Sequence, residues 1–378
     1  MKSYYIIFSI LLIMLSSCGQ TIKGEKHHVD VKFEKSYSYV EASDIFDNNY
    51  EAVLLDNSTQ DAIIKNTDRI LFAEDNIVIV DKLGNKLLLF DNKGEFITST
   101  SHLIGKGNNE YIRISDAALD EKEQKIYLYC NAPYQIMVFD YNLQYERNVK
   151  LDFLAFEIAV DDNYIYLTRY NESSMFDLVV INKHDVTQKP QMILEGTKGV
   201  RGLTSLGKSL IASNEDIYLC FPFDYNIYRI NNGNVVDMYS MDFGTKSVSD
   251  INIRRMGNDE FVRKYRGYVW CLQNFCTTDS TLIFTTNTPG LFIYDKEREI
   301  CSAYNELLHD ILPIFSSLTI PSQGKSGHII FDARPELILN YLNHLQKHGE
   351  VEQDSTITKV LESVDMGSNP LIVAWKIK

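Results

Sequence analysis

The chain has 378 residues, 45% of them apolar, with 37 Lys and Arg against 51 Asp and Glu for a formal net charge of −14. That apolar share supports a sizeable core and excludes wholesale disorder, while the acidity excludes general nucleic-acid binding, which needs clustered cations. The 23 Tyr and 19 Phe, with only 8 Pro, lean the composition towards β structure.

Taken in chain order, Met1-Lys2 leads into an apolar run from Tyr4 to Leu15, followed by Ser16-Ser17-Cys18-Gly19. A cationic start, a short apolar core and small residues at the exit predict a secretory signal peptide over residues 1–17. The run is too short for a transmembrane helix, which needs about 20 residues. Leu15-Ser16-Ser17-Cys18 resembles the lipobox of bacterial lipoproteins, and the resemblance implies cleavage before Cys18 and lipidation of its thiol. The alternative is an ordinary signal peptide with a cysteine near its cut site. Several acyl chains on one residue anchor stably where a single chain is marginal, so the expected partner here is the membrane. Residues 18–39 are expected to form a tether, because Thr21 to Ser36 is polar and rich in Lys, Glu and His.

From residue 40 onward a pattern repeats. A first apolar run is followed about ten residues later by a second, in the pairs 77–81 with 87–91, 126–130 with 136–140, 165–169 with 178–182, 217–221 with 226–230, and 282–286 with 291–295. Turn formers such as Lys82-Leu83-Gly84-Asn85 and Asn287-Thr288-Pro289-Gly290 make each pair an antiparallel hairpin. Further turns at Asp91–Phe96 and Asn231–Asn234 add a third strand, and strand–turn–strand units at this period read as propeller blades. Five units cover about residues 70 to 310. A sixth is expected to be composite, using 328–332, the terminal run 369–378 and the N-terminal run 50–57, which closes the ring and leaves no bare sheet edge. Between the last two pieces of the C-terminal part, Pro335 to His348 has apolar residues at helical spacing, with Pro at its start and Gly349 at its stop, predicting one inserted helix. The expected fold is therefore an all-β, six-bladed β-propeller over 40–378.

The segments FDNKGEFITS (90–99), GKGNNEY (105–111) and NPLIVAWKIK (369–378) resemble the six-bladed β-propeller lipoproteins of Gram-negative envelopes, distant relatives of NHL-type propellers. Members of that family commonly carry a Gly-x-Gly-Pro-Gly-Glu-Tyr loop; Gly105, Gly107, Glu110 and Tyr111 match it, and Asn108-Asn109 replace its Pro-Gly. The resemblance implies fold and location, an outer membrane site facing the periplasm or the exterior, and little chemistry.

GKGNNEY lacks the third Gly of a dinucleotide fingerprint and the Lys-Ser/Thr of a P-loop. It reads as a loop between blades, with Glu110 and Tyr111 the candidates to line one channel mouth. The excursion from Gly244 to Trp270 carries Lys246, Arg254, Arg255, Arg263, Lys264 and Arg266 against Asp250, Asp259 and Glu260. It offers Arg254, Arg255, Arg263 and Arg266 as a patch for an anionic glycan, headgroup or acidic partner; the alternative is a solvated loop. Tyr141, Tyr145, Tyr225, Tyr228, Tyr265 and Tyr268 read as strand packing before sugar stacking. Cys130 and Cys220 read as buried apolar residues, Cys271 and Cys276 lack the neighbours of a zinc site, and no motif indicates a cofactor, metal or catalytic nucleophile. The expected function is a lipid-anchored binding or scaffold module for a glycan, peptide or envelope protein. The alternative is a lactonase- or lyase-like enzyme using a Ca²⁺-type ion in the central channel, which would need three or more oxygen-bearing side chains around one centre.

Overall fold

The computed structural model describes residues 23–33, 39–172, 175–196, 200, 207–213, 215–248, 253, 255–308, 320–348 and 363–378. The expected signal peptide, Cys18 and Arg254 lie outside these residues. The described chain is all-β with three α-helices. It opens with β1 (Lys26–Phe33), β2 (Tyr39–Glu41), α1 (Ala42–Ile45) and β3 (Phe46–Leu54). Four runs of up-and-down strands follow. They are β4 (Arg69–Ala73), β5 (Asn76–Asp81), β6 (Lys86–Asp91) and β7 (Phe96–Ser99); β8 (Arg113–Asp120), β9 (Lys125–Ala132), β10 (Tyr134–Asp140) and β11 (Tyr145–Lys150); β12 (Ala155–Val160), β13 (Tyr164–Asn171), β14 (Met175–Asn182) and β15 (Gln191–Glu195); and β16 (Leu210–Ser213), β17 (Asp216–Leu219), β18 (Asn226–Asn231) and β19 (Asn234–Asp242). After α2 (Asn258–Lys264) come β20 (Leu272–Thr277), β21 (Thr281–Thr286), β22 (Leu291–Asp295) and β23 (Ile300–Tyr304), then β24 (Glu306–Leu308), β25 (Ser322–Gln323), β26 (His328–Ala333), α3 (Pro335–His348) and β27 (Leu371–Ile377).

All five hairpins expected from the repeat are present as antiparallel pairs: β5–β6, β9–β10, β13–β14, β17–β18 and β21–β22. Their turns use residues that tolerate a positive φ, as at Asn85 (φ 61°) and Gly290 (φ 129°). The apolar runs are continuous because both faces of each sheet are covered. In the β4–β6 sheet, Leu71, Val78, Val80, Leu87 and Leu89 pack with the β8–β10 sheet, while Ile70, Ile77, Ile79, Leu88 and Phe90 pack with Ile330, Ile372 and Ala374 of the C-terminal strands. A period of two with apolar residues at both phases is the signature of a strand buried on both sides.

The two ends of the chain meet in one sheet, β26–β27–β3, in which β27 pairs antiparallel with both neighbours. Phe46 stacks on Trp375 at 5.0 Å, and Trp375 Nε1 donates to the Asp47 carbonyl at 2.8 Å. Asn369 ties the same seam, donating to the carbonyls of Asp56 and Ala62 and accepting from the Ile64 N–H. Beside it β25 pairs parallel with β4, and Ile320 N donates to Ile330 O, so residues 320–323 stand between β4 and β26. Helix α3 lies between β26 and β27 in the chain and buries Ile338 against this seam.

The structure corrects the expected tether. Residues 26–33 are a strand: β1 pairs parallel with β19 through Lys26–Asp30 and with β23 through Val31–Phe33, joining two four-stranded units into one nine-stranded sheet. Val29 and Val31 supply the apolar face, and His27 stacks on Tyr239 at 4.9 Å. Its alternating pattern fits an outer strand with one covered face.

Candidate functional site

The first strands of successive sheets, β4, β8, β12, β16 and β20, stand next to one another around a channel, and all run the same way along it. Towards their starting ends, β4, β8, β12 and the segment just before β16 contribute charged side chains. Arg69 of β4 is fully buried and its Nη1 donates to Asp116 Oδ2 of β8 at 3.3 Å and to the Ile158 carbonyl of β12 at 3.2 Å. Lys208, just before β16, places Nζ 3.0 Å from Asp116 Oδ1, and the Ile158 N–H donates to Asp116 Oδ2. Burial alone would raise the Asp116 pKa, but Lys208, Arg69 and the Ile158 N–H outweigh it and hold the carboxyl below its ordinary range. Glu157 of β12 behaves oppositely. Burial pushes its pKa up, partly offset by Lys208, although the Ser209 and Leu210 N–H groups and the Ser209 hydroxyl all donate to it. Among the described residues, the buried Nε and Nη2 of Arg69 have no hydrogen-bond partner.

At the opposite end, where these strands finish, lies a cavity of about 530 Å³. Its wall takes Asp120 from the end of β8, Asp161 from just past β12, Ser213 from the end of β16, Cys276 of β20 and Gly324 from just past β25. Five carboxylates line it (Asp120, Glu121, Asp161, Asp162 and Glu215) against two lysines, Lys122 and Lys325, with Asn163, Asn231 and Asn232 beside them. Asp120 is held by the buried Lys183 of the next sheet, and Asp161 by the Tyr166 hydroxyl and the Tyr164 N–H. Lys122 pairs with Asp162 at 2.5 Å, and Lys325 with Glu51 at 2.5 Å. Burial and then the neighbouring Asp120 push the Glu121 carboxyl up. The wall is thus rich in acceptors, and several lysines near it are already committed.

The sequence candidates fall elsewhere. Tyr111 is fully buried, its hydroxyl sitting 2.7 Å from Thr100 Oγ1 and donating to the Asn85 and Thr100 carbonyls, so it locks a loop and does not line a mouth. Glu110 is half-buried and accepts the Gly107 N–H at 2.6 Å. A Cβ on Gly105 would lie 2.0 Å from that carboxylate, so a side chain there would require Glu110 to swing aside. Arg255, Arg263 and Arg266 are exposed, on an excursion with a small core of its own in which Phe261, Tyr265 and Trp270 are buried with Phe223. Lys264 sits 5.1 Å over the Tyr265 ring. Tyr141, Tyr228 and Tyr265 are buried, and the Tyr225 hydroxyl donates to the Val269 carbonyl, which is the packing role.

Among the described residues, the group of three His, Cys, Asp or Glu side chains close enough to share one ion is His28, Asp30 and Asp242, all exposed on β1 and β19 and away from the channel. The carboxylate cage that a channel-bound Ca²⁺ would need is not assembled by the described Asp and Glu side chains. Among the described residues, Cys130, Cys220, Cys271 and Cys301 are buried thiols outside any disulfide, and Cys276 is a thiol beside the cavity.

What fold and channel define is a propeller-like all-β protein. The chain belongs to the family described as domain of unknown function DUF4934, whose pattern matches residues 26–376. An exported protein of Bacteroides fragilis has a similar structure, with TM-score 0.68 and 18% identity over 95% of this chain and all of that one. A DUF4221 family member from Bacteroides vulgatus is similar at TM-score 0.54 and 10% identity, over 88% of this chain and 97% of that one. At these identities the likeness is one of fold. No curated protein matches the sequence.

Proposed function

We propose that this protein is an exported, six-bladed β-propeller, held at the cell envelope through Cys18, that acts as a binding module with its ligand in the 530 Å³ cavity. The blades would be the sheets led by β4, β8, β12, β16 and β20, with residues 320–333, β27 and β3 as the sixth, and α3 an insertion within it. The cavity carries the reading: its volume is in the range of small-ligand sites, and loops from several sheets converge on it. Because acceptors outnumber donors on its wall, the matching ligand is rich in donors, such as an amino sugar or a basic peptide segment. Glu121 and Glu215 are the carboxylates assigned to it.

Titration calorimetry of the protein against amino-sugar oligomers, lysine-rich peptides and neutral glycans tests this. Binding of a donor-rich class is expected, weakened about tenfold or more in Glu121→Gln/Glu215→Gln, the scale of one or two charge-assisted hydrogen bonds. Equal binding by the double variant, or no binding in any class, refutes the cavity assignment.

A further inference from the structure

We infer that the lipid anchor holds the acidic cavity towards the membrane and the basic 253–270 excursion away from it; this rests on the reading of Cys18 as lipidated. The argument starts from strand direction. β16 ends at the cavity, and three antiparallel pairings separate it from β19, so β19 runs the other way and begins at the cavity side. Asn232, in the turn before β19, lines the cavity accordingly. β1 is parallel to β19, with Lys26 opposite Met238 and Asp30 opposite Asp242, so it too begins at the cavity side. Ahead of β1, Lys23 N donates to the Val235 carbonyl, Lys23 Nζ to Asn234 Oδ1, and Glu25 N to Asp237 Oδ1. The chain is therefore docked from Lys23 onward.

Four residues then separate Lys23 from Cys18, and the five Cα–Cα steps between them, fully extended, reach at most about 17 Å. β1 has eight residues and runs about 26 Å towards the far face. The excursion starts where β19 ends, at that far face, and returns to β20, whose start is there as well. A leash this short, fixed at the cavity rim, keeps the far face from lying on the anchoring leaflet. Arg255, Arg263, Lys264 and Arg266 consequently point into the compartment. They are thereby held away from the headgroups around the anchor.

The test uses the lipidated protein in vesicles that carry a short-range quencher on their headgroups. A fluorophore is attached at Lys122→Cys on the cavity rim or at Arg263→Cys on the excursion, both exposed positions, after checking that the parent's own cysteines take no label. Quenching is expected at Lys122→Cys and absent at Arg263→Cys, and a flexible twenty-residue insertion between Cys18 and Lys23 should remove the contrast. Equal quenching at both sites in vesicle-bound protein, or quenching at Arg263→Cys alone, overturns the orientation. If Cys18→Ala floats with vesicles as well as the parent does, the anchor reading itself has failed, a separate outcome.

Discussion

Replacing Asp116 by alanine removes the carboxylate shared by Arg69 and Lys208, all three side chains being at most 7% exposed. Two buried cations then lose their common counter-ion, and the Ile158 N–H loses its acceptor. Breaking a buried ion pair by removing one partner costs about 3–5 kcal/mol. At roughly 2–4 °C per kcal/mol for a large domain, the midpoint of thermal unfolding should fall by roughly 6–20 °C. The assay is circular dichroism on parent and variant between pH 5 and 8. Because the Asp116 pKa is held low, its contribution is fully present above the ordinary aspartate range of about 3.9 and is lost as pH falls through the lower folded value, so its own titration adds no slope to the difference across that window. Arg69→Met/Asp116→Leu, which removes cation and anion together and leaves Lys208 with Glu157, should recover most of the loss. A single variant melting within about 2 °C of the parent, the scale of an exposed pair, would refute a closed ionic cluster in the channel.

Deleting residues 369–378 should abolish the cooperative urea transition, read by the fluorescence of Trp270, because it removes the strand between β26 and β3 together with the ties from Asn369 to Asp56, Ala62 and Ile64. A truncated protein that keeps a sharp transition would show that this seam does not close the body. Glu157→Gln should alter the pH dependence in the opposite sense to Asp116. With its folded pKa raised, ionised Glu157 costs stability near neutrality, and the parent should gain stability as pH falls through that value towards about 4.3. The variant should lack this gain in melting curves taken from pH 7.5 to 4.5, and parallel curves would contradict the assignment.

The hairpins were legible because both faces of each strand are apolar and the turns use Asn and Gly, two signals that reinforce each other within ten residues. β1 was not, because in KHHVDVKF only Val29 and Val31 are buried and the polar residues on its open face read as a solvated linker. The V-D-V alternation was the available signal. Arg69, Asp116, Glu157 and Lys208 were missed for a different reason. Each is a single charge at or near the start of its strand, about one repeat from the next, and their meeting exists only once the sheets stand around the channel. A polar residue recurring at the same phase of an apolar repeat would have been the clue. The cavity wall is likewise assembled from turn residues whose composition resembles that of any exposed turn.

The double ladder of β1 bears on how the protein meets force. A pull on its N-terminal end, directed out of the cavity side, acts along the strand axis. The Lys26–Asp30 ladder with β19 and the Val31–Phe33 ladder with β23 therefore share the load in shear and cannot open one bond at a time. A tug from the same end directed sideways would instead unzip the strand from Lys26 onward. The first β-strand thus works as a strain relief: axial drag is spread over two sheets at once before any of it reaches the seam between β3 and β27.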